Sequence, residues 1–145
     1  MKVVLQRVRS AHVSVNGQIV RQIGTGYLLL VGIAADDDAA VVRRLAGDVA
    51  KARLMPDAQG KFGIGLREAG AEALAVSQFT LLADFTKGNR PSFNAAAKPE
   101  VARPLFDLFV QELATLVGRP VPTGVFGADM AVTLVNDGPV TVVLE

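Results

Sequence analysis

HVSVNGQIVRQIGTGYLLLVGI, residues 12 to 33, sets three strand-like runs between two tight turns. His12-Val13-Ser14-Val15 alternates as a half-buried strand does. Asn16-Gly17 follows, and a tight hairpin turn of this kind needs positive φ at both central positions, which Asn and Gly tolerate best. Gln18 to Ile23 then reads as the returning strand. Gly24-Thr25-Gly26 turns the chain again, and Tyr27 to Ile33 is apolar almost throughout, as a central strand covered on both faces would be. Upstream, Lys2 to Arg9 is Val-rich and alternating, a further strand. The start of the chain is therefore expected to be an antiparallel sheet.

Helices are expected in two places. Asp36-Asp37-Asp38 precedes Val42, Leu45, Val49 and Ala52, which recur at three- and four-residue spacing. Aspartates there would cap free N–H groups and meet the positive end of the helix dipole. An acidic metal site is the other reading of the three aspartates, and no partner ligands accompany them. Pro99 opens a second helix with a stripe of Val101, Leu105, Leu108, Phe109, Leu113 and Leu116, closed by Gly118. Pro104 should kink it or delay its start. Between the helices, Pro56 to Gly65 reads as loop-rich, Ala73 to Gln78 as a buried strand, and Asp84 to Lys98 as a long polar loop. Ala131–Val135 and Val140–Leu144 read as two last strands flanking Asn136-Asp137-Gly138-Pro139. The sum is one α/β domain of the α+β type over residues 1–145, with mostly antiparallel strands and two main helices.

Composition narrows the function classes. At 145 residues the chain can bury roughly 68–70% of its unfolded surface. Fifteen Lys and Arg face 14 Asp and Glu, which excludes a nucleic-acid coat protein or a polybasic membrane binder but leaves room for a local RNA site. The absence of Cys excludes thiolate catalysis, disulfides and iron–sulfur clusters, and the single His12 excludes multi-histidine metal sites. With no N-terminal targeting pattern and no apolar run long enough to span a bilayer, the chain is assigned to the cytoplasm, with no membrane partner.

No phosphate-binding glycine loop or nucleophile elbow is present. Two segments stand out instead. Ser77-Gln78-Phe79-Thr80 puts polar side chains at the end of a buried strand. It can be a strand end satisfied by its own hydrogen bonds, or a site where Thr80 and nearby backbone N–H groups meet a substrate. Gly138-Pro139 can be a plain hairpin turn or part of that site.

Together with Gln6-Arg7-Val8, Lys87-Gly88-Asn89-Arg90-Pro91-Ser92-Phe93, Gly127-Ala128-Asp129-Met130 and Asn136-Asp137-Gly138-Pro139-Val140-Thr141, these segments give an end-to-end resemblance. The chain resembles the D-aminoacyl-tRNA deacylases. It departs from their usual pattern at His12, at Lys51-Ala52-Arg53 and at Gly63-Ile64-Gly65, away from both signature segments. The resemblance implies a barrel-like core and a homodimer that cleaves the ester between a D-amino acid, or glycine, and the terminal ribose of tRNA. It needs no cofactor or metal, and DNA is not an expected partner. Ser77, Gln78, Phe79 and Thr80 would line the site. A cis Gly138-Pro139 turn would enter from the other subunit and select the D hand, Arg7 would brace it across the dimer, and Met130 would lie nearby. By their charge, Lys87, Arg90, Lys98 and Arg103 are candidates for contacts to tRNA phosphates, with a solvated rim as the other reading. Backbone N–H groups near Phe79 and Thr80 would hold the oxyanion, and the 2′-hydroxyl of tRNA would assist. The alternatives at this point are a binding module that has lost activity and an esterase using Thr80 as nucleophile.

Overall fold

The structure is a computed structural model and describes residues 1–145. Its spine is a single long strand, β1 (Lys2–Val15). Asn16 and Gly17, at φ of 51° and 77°, turn the chain into β2 (Gln18–Ile23), the hairpin expected of that pair. β3 (Gly26–Gly32) pairs antiparallel with β1 from Lys2 to Val8, so β2 and β3 share one edge of β1 end to end. The opposite edge is taken along its length by β7 (Ala131–Leu144). β6 (Glu72–Ser77) lies parallel to β3, the one parallel pair in this sheet, and the connection between them carries helix α1 (Ala39–Lys51). Asp38 caps α1 by accepting from Val41 N–H at 3.0 Å, which decides between the two readings of the aspartate run in favour of capping.

The sheet buries both faces. On one, Val3, Leu5, Tyr27, Leu29 and Val31 pack with Val42, Leu45 and Val49 of α1 and with α3 (Pro99–Val117). On the other, Leu28, Leu74 and Val76 meet Val8, Ala11, Val13 and Ile23, the sheet curling over itself as a half-barrel. This explains why β3 is apolar at nearly every position. Tyr27 is fully buried, yet its hydroxyl donates to Ala52 O at 3.1 Å and accepts from Leu54 N–H at 3.3 Å. Burial pushes its pKa up, against the smaller opposite effects of the Leu54 hydrogen bond and the Arg7 charge. The Met1 ammonium group lies 2.8 Å from Asp37, whose carboxylate also accepts from Ala34 N–H.

The structure corrects or sharpens four expectations. Residues 131–144 form one strand, not two. Both halves pair with β1, and the register jumps from Gln6–Thr141 to Val8–Asn136, leaving Asp137 to Val140 as a wide bulge where a hairpin turn was one reading. Pro56–Gly65 is not all loop, because β4 (Met55–Pro56) pairs with β5 (Phe62–Ile64), and a short α2 (Leu66–Ala69) follows. α3 starts at Pro99, as expected, and runs on through Pro104, so the delayed start is the alternative that falls. Its buried stripe is Ala102, Phe106, Phe109, Leu113 and Val117, one position round from the expected face, so Val101 and Leu116 are exposed. No helix is long and apolar enough to cross a membrane.

Candidate active site

β6 ends at Ser77, and the chain bends at once into a single tight turn of 3-10 helix, Phe79–Leu82. Two contacts seat that turn. Gln78 N–H donates to Val31 O at 2.8 Å, and Gly32 lies directly beneath. A Cβ on Gly32 would stand 2.6 Å from the Leu82 side chain and 3.0 Å from Gln78 O, so this close approach requires glycine. Gln78 Nε2 donates to Thr80 Oγ1. The first N–H groups of the turn, those of Phe79 and Thr80, have no acceptor in the protein.

Beside this turn opens a cavity of about 570 Å³, within the usual range for small-molecule sites of about 300–1,000 Å³. Ser77, Gln78 and Phe79 form one wall. Phe93 continues it, its ring edge-to-face with Phe79 at 5.1 Å between centroids. Met130 and Val132, around the start of β7, and Phe126 in the preceding loop also line the cavity. Lys98, Pro99 and Ala102 at the start of α3 complete the lining. Gly124 leaves room for Met130, since a Cβ there would be 2.6 Å from the Met130 sulfur. Lys98 is the one titratable side chain in the lining, and no carboxylate or imidazole faces the cavity. No three His, Cys, Asp or Glu side chains lie close enough together to hold a metal ion.

The expected site residues fall into separate groups. Ser77, Gln78, Phe79 and Met130 meet at the cavity. Thr80 stands just outside it, exposed, with its hydroxyl oxygen held by Gln78. Lys87 and Arg90 lie on the exposed loop that follows, away from the lining. The Arg103 guanidinium lies 5.7 Å over the Phe126 ring, at the cavity's edge. Phe126 and Val132 were missed because a lone aromatic in a glycine-bearing loop and a strand valine carry no sequence signal of a site.

Gly138 and Pro139 lie elsewhere. They sit in the bulge of β7, with the peptide bond between them cis and Gly138 at φ 138°. Arg7 holds this bulge: its guanidinium donates to Asp137 O at 3.1 Å and to Leu54 O at 2.7 Å, lies 3.3 Å from the Asp137 carboxylate, and covers the Phe62 ring at 5.5 Å. Within the chain, Arg7 thus ties the bulge to the segment at Leu54. Val132, in the cavity, and Gly138, in the bulge, are six residues apart on one strand. That separates them by roughly 15–20 Å.

The family model described as "D-Tyr-tRNA(Tyr) deacylase" matches residues 4–145. The D-aminoacyl-tRNA deacylase of Dechloromonas aromatica is 51% identical over 145 residues, covering all of this chain and 97% of the relative. That of Thermomicrobium roseum is 54% identical, covering all of this chain and 94% of its own length. Among solved structures, the c-Myc DNA Unwinding Element Binding Protein superposes with a TM-score of 0.94 at 37% identity, covering 100% of this chain and 98% of that one. A probable eukaryotic D-amino acid tRNA deacylase shares the fold at a TM-score of 0.85 and 18% identity, over 99% and 97% of the two chains. With half of all positions shared with these relatives over the full length, and the family model matching residues 4–145, this chain belongs to the D-aminoacyl-tRNA deacylases, a family of hydrolases.

Proposed function

We propose that this protein hydrolyses the ester that joins a D-amino acid, or glycine, to the 3′-terminal ribose of tRNA, acting in the cytoplasm as a homodimer. The observation that carries this reading is the cavity itself: apolar, walled by Ser77, Gln78 and Phe79, and lined by no acid or base other than Lys98. Such a lining suits a substrate whose carbonyl is already activated, as an aminoacyl ester is. Positioning and oxyanion stabilisation can then supply the rate. The unpaired N–H groups of Phe79 and Thr80 are the donors for the developing oxyanion. Water bonds to the ester carbonyl carbon and the bond from that carbon to the ribose oxygen breaks. The ribose oxygen takes a proton, with the neighbouring 2′-hydroxyl assisting, and the free amino acid leaves.

Chirality enters through the second subunit. One chain keeps its cavity and its Gly138–Pro139 bulge apart, so the wall that excludes an L side chain is supplied by Pro139 of the partner subunit, and a C2 dimer supplies it twice. Exclusion by a wall reads no side-chain chemistry, so many D residues are accepted and glycine is cleaved too.

The test is deacylation of matched D- and L-aminoacyl-tRNAs. Cleavage of the D form only is expected, and equal rates for both would overturn the proposal. A tRNA ending in 2′-deoxyadenosine should be cleaved far more slowly. The relative named for a DNA element gives a second reading, nucleic-acid binding without chemistry, for which neither charged tRNA would be cleaved.

A further inference from the structure

The segment from Asp84 to Ser92 rises from the rim of the cavity. Its first stem follows the turn that carries Phe79, and its second stem leads straight into Phe93, so the two rings of the aromatic wall flank the loop's base. That base is closed by paired backbone bonds, Asp84 N–H to Ser92 O and Ser92 N–H to Asp84 O, both 2.8 Å. Asp84 Oδ1 accepts from Thr86 N–H at 2.9 Å, and Phe85 O accepts from Gly88 N–H at 3.1 Å. The loop is shaped by its own hydrogen bonds, while its side chains face water.

Phe85 is 58% exposed there. A single exposed aromatic is ordinary on a protein surface. This one has unusual company: Thr86, Lys87, Gly88, Asn89 and Arg90 are all exposed beside it. From Thr86 to Arg90 its sequence neighbours carry no apolar side chain. An aromatic ring with two cations and an amide within five residues is instead the set that grips single-stranded nucleic acid, the ring stacking on a base and the cations meeting phosphates. The Asp84 carboxylate is turned to Thr86 and shapes the loop.

We infer that this loop is the platform for the unpaired 3′ strand of the tRNA acceptor end, Phe85 stacking on a base just before the terminal adenosine enters the cavity and Lys87 and Arg90 pairing with its phosphates. The inference rests on the deacylase reading and adds to it a residue that selects tRNA over its terminal nucleoside.

Two substrates separate the claims: D-aminoacyl-tRNA, and the same D-amino acid esterified to adenosine alone. Phe85→Ala should lower kcat/KM on the tRNA substrate by roughly 10- to 100-fold, the usual effect of removing one base-stacking ring. It should change the adenosine ester less than about 2-fold by the same reasoning. Phe85→Trp should retain activity, and as the only Trp in the chain its emission should be quenched by uncharged tRNA. The double variant Lys87→Ala/Arg90→Ala should flatten the slope of log kcat/KM against log salt by about 1.4, at about 0.7 per single-strand phosphate contact. Loss on both substrates alike, or no loss on tRNA, would overturn the inference while leaving the deacylase reading intact. A wild-type protein that cleaves neither substrate would remove that reading, and this inference with it.

Discussion

The two signature segments are built in opposite ways. Ser77 to Thr80 continues a buried strand, is pinned from below at Gly32 and opens onto a cavity made by four separate parts of the chain. Gly138 and Pro139 interrupt an edge strand, held only at their base by Arg7, with both residues exposed. The first is a pocket wall in place. The second is a shaped projection with nothing of its own chain to act on. Under the proposed dimer the two regions meet across subunits, and the site can be broken at either one.

The largest effect is expected at the projection. Gly138→Ala puts a Cβ within 2.7 Å of Val140, at a φ that L residues rarely adopt. D-aminoacyl-tRNA hydrolysis should fall by about 100-fold, the scale of a misplacement near 1 Å, with the circular dichroism spectrum unchanged. Thr80→Ala, just outside the wall, should cost about 10-fold or more in kcat without abolishing turnover. A covalent acyl-Thr80 adduct seen by mass spectrometry would show that the hydroxyl is a nucleophile, not a positioning group. Arg7→Met should cost about 2–3 kcal/mol in urea unfolding, because charged hydrogen bonds to Leu54 O and Asp137 are lost, and should lower activity through the projection alone.

The smallest effect belongs to neither region and serves as the control. Tyr27→Phe removes a hydroxyl bonded to Ala52 and Leu54 and should cost about 1 kcal/mol with activity unchanged. The folded-state pKa of Tyr27 is raised, so its contribution is fully present below about pH 10 and is lost as pH rises beyond it. The wild type should lose stability above that pH more steeply than Tyr27→Phe.

What could be read in the sequence was what local chemistry dictates. The Asn16–Gly17 hairpin, the Asp38 cap, the Pro99 start and the Gly118 end of α3 all rest on neighbours in sequence. The face of α3 was misread because apolar residues occupy most of its circumference, and only packing against α1 decides that Ala102, Phe106 and Val117 turn inward. β7 looked like two strands because a four-residue bulge and a turn have the same composition. Pairing of both halves with β1, more than a hundred residues away, tells them apart. The cavity wall was legible at Ser77, Gln78 and Phe79, whereas Phe126 joins it only through the tertiary fold.

The central claim is that each site takes its wall from one subunit and its screen from the other. Complementation tests it most directly. Gly138→Ala and Thr80→Ala, each impaired alone, are mixed in equal amounts, unfolded and refolded together. In a mixed C2 dimer one site carries both lesions and the other carries none. Random pairing then gives about a quarter of wild-type activity, above either variant alone. Activity no higher than the mean of the two variants would mean that each chain carries its own complete site, and would contradict the account.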